Sequence, residues 1–146
     1  MSSAQSNQVL NHLGSLLDSS LLAFMDCAKP WQGSGDESAV ESIQRMADDQ
    51  RSMVARIAEI LDREGYTYDG GEIPMQFTSL FDLSLRYLLT QLVENQEQHV
   101  VSIGQCVELL DGAPLALALA EETLGLAEGH LENLRELVGG ARNSVA

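Results

Sequence analysis

The stretch Leu109–Leu117, "LLDGAPLAL", closes one helix and opens the next. Gly112 suits the position just past a helix C-terminus, where a left-handed backbone is wanted. Pro114 suits the first turn of a new helix, where its missing N–H costs nothing. A break this short predicts an antiparallel helical hairpin. Upstream, Leu85, Leu88, Leu92, Ile103, Val107 and Leu110 recur at helical spacing and predict a helix over about 78–111. Ser79 and Asp82 have the spacing of an N-terminal cap for it. Downstream, the second arm is expected over about 114–138, stopped by Gly139 and Gly140.

The N-terminal half reads the same way. Leu10, Leu13, Leu17, Leu21 and Phe24 predict a helix over about 5–28, broken by Pro30 and the glycines of "KPWQGSG". Val40, Ile43, Ala47, Val54, Ile57 and Leu61 predict another over about 36–64, with Asp36 as N-cap and Gly65 as its stop. "GYTYDGGEIPMQF" then connects the two hairpins. No strand pattern interrupts the chain. The expectation is an all-α fold: one domain over 1–146, a four-helix bundle of two hairpins with a longer connection in the middle. That connection reaches at most about 44 Å, and the second helix is about 43 Å long. A crossover the length of the bundle and an up-down-up-down path are both open.

Composition narrows the partners. The chain has 146 residues and a net charge of −14, with 22 acidic against 8 basic side chains. Phosphates would be repelled, so neither nucleic acid nor an anionic membrane is expected as a partner. No apolar run approaches the roughly 20 residues that span a bilayer. The opening "MSSAQSNQVL" lacks the basic and apolar regions of a signal peptide. Cys27 and Cys106 have no metal-site spacing and read as reduced core residues of a cytoplasmic protein. Helix faces leave a homo-oligomer open.

Several polar residues fall on stripes that a bundle core would make apolar. Asp49 lies with Met46, Met53 and Ile60, and Gln50 with Ala47 and Val54. Gln96 and His99 interrupt the Leu92–Ile103 stripe. Glu121 and Glu128 flank Leu124, and His130 falls between Leu126 and Leu134. Buried polar groups must be hydrogen-bonded, and buried charges paired or bound to metal. Depth relates some of them. Counted from the tight turn, Glu94 is 17 residues before Asp111 and His130 is 17 after Ala113. A polar layer can be drawn through Asp18, Asp49, Glu94 and His130.

"AEGHLENL", "DDQRSMVARIAEILDREG" and "QLVENQEQH" give the chain a resemblance to the ferritin-like superfamily, and within it to the bacterioferritin pattern. The resemblance covers the helix order of nearly the whole chain, but its motifs are specific only in these short runs. It implies a di-metal site with one Glu from each of two helices and an ExxH motif from each of the other two. His130 stands at the histidine of the fourth helix, Asp49 at the glutamate of the second, and Glu94 at the glutamate of the third. Asp18 is the nearest candidate on the first. The departures are Ala127 at one bridging glutamate, the shorter Asp49 at the other, and Ser52 at one histidine. What remains suits at most a single divalent ion, iron or manganese, with Asp18, Asp49, Glu94 and His130 as its candidate ligands. Gln50, Gln96, His99, Glu121 and Glu128 are the alternative polar core. The expected function is a non-catalytic structural or interaction module with a degraded site. The alternative is a metal-binding ferroxidase or related oxidoreductase, in which Glu128 or Glu121 supplies the missing bridge.

Overall fold

The computed structural model describes residues 2–28, 37–75, 77 and 85–143, with backbone only for 26–28, 85 and 141–143. Among the described residues there are five helices and no strand: α1 (Ser3–Asp18), α2 (Leu21–Ala28), α3 (Glu37–Arg63), α4 (Leu85–Leu109) and α5 (Pro114–Asn143). No described helix is long and apolar enough to cross a membrane. The proposed cap at Asp36 and the start of the third expected helix, with Ser79 and Asp82, lie outside the described residues.

The expected first helix is two. The chain breaks at Ser19–Ser20 although the leucine spacing runs straight through. Serine hydroxyls offer the backbone partners that compete with the helical ladder. Ser19 Oγ donates to the Ser15 carbonyl at 2.7 Å, and Ser20 Oγ to the Leu17 carbonyl at 2.9 Å. Ser20 Oγ also accepts from the Ala23 N–H, and Asn95 Oδ1 accepts from the Leu21 N–H. The freed ends of both helices are thereby satisfied, as helix termini require.

The other ends follow local chemistry. Gly65, at φ +72, ends α3, with Tyr66 N–H bonded to the Leu61 carbonyl and Gly65 N–H to that of Asp62. This is the left-handed C-terminal motif that glycine permits. Gly112 has φ +88 in the α4–α5 turn. At the far end, α5 runs through Gly139 and Gly140 to Asn143, where a stop was expected. Glycine weakens a helix without ending it, and no proline follows.

Contacts fix the directions. Leu10 to Leu17 pack with Met53 to Leu61, and Leu21 to Met25 with Ile43 and Met46, so α1–α2 runs against α3. Ile103 to Leu110 share the first of these groups and Leu88 to Leu92 the second, so α4 also runs against α1–α2. α5 runs against α4 and α3. With α3 and α4 parallel, the connection between them must travel the length of the molecule. Its described part lies along α1 and α2. Asp69 N–H bonds Asn11 Oδ1 at 2.8 Å, Tyr68 lies against Gly14, Gly71 against Ser15, and Phe77 meets the Phe24 ring at 5.7 Å. A Cβ on Gly14 would stand 2.6 Å from the Tyr68 ring, so this close approach needs glycine there.

The core divides into two apolar clusters. One gathers Leu10, Leu13, Leu17, Ile57, Leu61, Ile103, Leu110 and their neighbours. The other gathers Leu21, Leu22, Met25, Ile43, Leu88, Leu92 and Leu134. Between them lies a level of buried polar side chains.

Candidate functional site

That level is built from Ser20 at the α1–α2 break, Gln50 on α3, Gln96 and His99 on α4, and His130 on α5, all buried. Gln50 Nε2 donates to Ser20 Oγ at 2.9 Å and to the Leu17 carbonyl at 3.3 Å. Gln96 Nε2 donates to the Ala127 carbonyl at 3.1 Å, tying α4 to α5. His130 Nε2 lies 3.0 Å from Asp49 Oδ2. The imidazole is 5 % exposed and the carboxylate 53 %, so this contact joins the interior to a cleft of about 420 Å³ between α3 and α5. Ser42, Arg45, Met46 and Asn133 also line the cleft.

Among the described residues, three enclosed side-chain atoms have no hydrogen-bond partner: Gln50 Oε1, His99 Nε2 and His130 Nδ1. Leaving a buried polar atom unpaired costs about 1–3 kcal/mol each. All three belong to the polar level. Burial, and then the nearby His130, push the His99 imidazole down to about 4, so it is neutral at pH 7.

The four candidate metal ligands do not converge. Asp49 and His130 meet. Asp18 is engaged elsewhere, accepting the Tyr68 hydroxyl at 2.5 Å under the α3–α4 connection. Burial, then the hydrogen bond and charge of Asp18, raise the Tyr68 phenol well above its usual range. Glu94 faces solvent, as do Glu121 and Glu128. Among the described residues no three His, Cys, Asp or Glu side chains are grouped to hold a metal ion. Gln50, Gln96 and His99 lie inside; Glu121 and Glu128 do not. Helical spacing alone could not separate these five. The residues missed by sequence reasoning are Ser20, Asn95 and Tyr68. The serine pair was the only local sign of any of them.

Ala127 is buried beside Gln96, and Ser52 is exposed on α3. Cys106 is buried, with its thiol free. No protein-family model matches the chain, and no curated protein matches it significantly.

Proposed function

We propose that this chain is a ferritin-like four-helix bundle whose di-metal site has decayed into the polar level, and that it serves as a structural or interaction module. The observation that carries the reading is the contact between Asp49 and His130. They stand at two of the ligand positions implied by the resemblance, and they bond to each other across α3 and α5. The parallel α3 and α4, joined by a connection along the whole molecule, support the same reading, because that helix order belongs to ferritin-like bundles. Ala127 and Ser52 remove one bridging carboxylate and one imidazole, and Glu94 and Asp18 point elsewhere. Two adjacent irons oxidised by oxygen need bridging carboxylates that this set does not supply.

The free thiol of Cys106 suits the cytoplasm. Exposed Tyr87, Val101, Leu109 and Leu115 suit contact between copies, which sedimentation would measure.

The test of the function is elemental analysis with an Fe(II) titration under oxygen. No rapid oxidation and no iron pair per chain are expected. Two irons per chain with fast oxidation would overturn the proposal in favour of a ferroxidase. Ala127→Glu combined with Ser52→His should recover iron affinity. Failure of this double variant, folded, to bind iron would show that the helices are aligned wrongly.

A further inference from the structure

The contact between Asp49 and His130 forms one end of the cleft between α3 and α5. Along the cleft, Arg45 supplies a cation, Asp49 and Glu136 supply carboxylates, and Met46 and Leu137 supply apolar wall. Helix geometry orders them. From the Asp49–His130 contact, Arg45 lies toward the N-terminus of α3, about 6 Å along its axis. Because α5 runs against α3, Asn133 and Glu136 lie the same way, about 4.5 and 9 Å along α5. Arg45 therefore stands between the levels of Asn133 and Glu136. Met46 and Leu137 pack with the second apolar cluster, so the apolar part of the cleft continues the core. An arginine and a carboxylate four residues apart on a helix can close on each other. Here Asp49 is turned instead to His130, 81 residues away in the chain. Arg51, Arg56, Arg63 and Arg135 each pair with a carboxylate, whereas Arg45 enters no ion pair among the described residues.

We propose that this cleft binds one free α-amino acid with an apolar side chain. A zwitterion fits its charges where a simple ion does not. An anion at Arg45 would face Asp49 and Glu136, and a cation at those carboxylates would face Arg45. A guanidinium holds a carboxylate through two parallel N–H donors, and the Asn133 amide can donate beside it. The Asp49 side chain is 53 % exposed, and a carboxylate has acceptor sites beyond the one that meets His130, so it can take the ammonium. The two charged groups of an amino acid share one carbon. Arg45 and Asp49 are neighbours on one helix face, so a single molecule reaches both. Its side chain then lies on Met46 and Leu137. Glu136, on the other side of Arg45, disfavours a second anionic group. The volume of about 420 Å³ is of the size that small-molecule sites have. His130 acts as a positioning residue that holds Asp49 away from Arg45. This inference does not rest on the ferritin-like reading, since it gives neither Asp49 nor His130 a metal to bind.

The experiment titrates L-leucine into the full chain, followed by calorimetry and by NMR of the Asn133 side-chain amide. One equivalent is expected to bind and to shift that amide, leaving the amide of Gln5 at the start of α1 unmoved. N-acetyl-leucine lacks the ammonium and leucinamide lacks the carboxylate. Each should bind more weakly by about tenfold or more, the loss expected for one charge-assisted contact. Glycine, without the side chain, should also bind more weakly. Arg45→Gln should weaken leucine by about the same factor and abolish its advantage over leucinamide. Asp49→Asn should abolish its advantage over N-acetyl-leucine. Arg135→Gln, outside the cleft, should leave binding unchanged. The comparison of ligands needs no variant, so a variant that fails to fold does not remove the test. No binding of leucine by the folded wild type, equal binding of leucine and its blocked forms or glycine, or a loss in Arg135→Gln as large as in Arg45→Gln would overturn the inference. Iron oxidation is read separately, so failure here leaves the proposed function standing.

Discussion

The apolar clusters and the polar level between them solve the same packing problem differently. In the first cluster Leu13, Ile57, Leu61, Ile103 and Leu110 are completely enclosed and contribute only surface removed from water. In the level, Gln50, Gln96, His99 and His130 are almost as enclosed, yet their donors and acceptors must be matched one by one. The match is incomplete, with three atoms left over. A leucine tolerates many neighbours, whereas an amide or imidazole needs one particular atom at one particular place. A level of this kind is therefore more particular about its neighbours than an apolar one.

Truncation should separate the two regions most strongly. Ile57→Ala is expected to cost about 3 kcal/mol, within the range for emptying a buried aliphatic site, and denaturant midpoints would measure it. His99→Leu should be neutral or stabilising, because it replaces a buried imidazole whose Nε2 meets no protein partner by an apolar side chain. A His99→Leu cost as large as that of Ile57→Ala would mean that the level is held as firmly as the clusters.

Acid should find the level next. The His99 imidazole titrates at about 4 in the folded chain, well below its value when unfolded. Between those two pH values the unfolded state binds the extra proton. The neutral form's advantage is complete above the unfolded pKa near 6.5 and is lost as pH falls toward 4. The loss is on the order of 3 kcal/mol. Unfolding measured across that window without added metal should show this acid limb, and His99→Leu should flatten it. An unchanged limb in the variant would place its cause elsewhere.

Smaller effects belong to the outside. Tyr68→Phe removes the donor to Asp18, and about 1–2 kcal/mol is expected for this half-buried bond. A larger loss would show that the α3–α4 connection, and not the level, governs the middle of the molecule. Arg56→Ala breaks an exposed pair with Glu122 at 2.6 Å, and should change stability by less than about 0.5 kcal/mol.

Particular residues show how far the sequence could be read. The pairing of Asp49 with His130 was accessible because a helix rises by a constant amount per residue, so depth can be counted from a known turn. Their shared depth with Glu94 was equally countable, yet Glu94 faces outward. Depth says nothing of rotation about the axis when several polar residues fall near the edge of an apolar stripe. The Ser19–Ser20 break hid behind an unbroken leucine spacing. Its cause includes Gln50 and Asn95, which lie 30 and 74 residues from their partners. Tyr68 and Asp18 are 50 residues apart, and no periodicity relates a loop to a helix.

By itself the sequence determined the helical segments, the α4–α5 turn and the apolar stripe on each helix, because these depend on spacing, caps and glycine or proline at single positions. Tertiary structure decided the parallel course of α3 and α4, the division of the first helix, and which polar residues are enclosed. Those outcomes depend on what each side chain meets across the core, and only the packed arrangement of the helices supplies that partner.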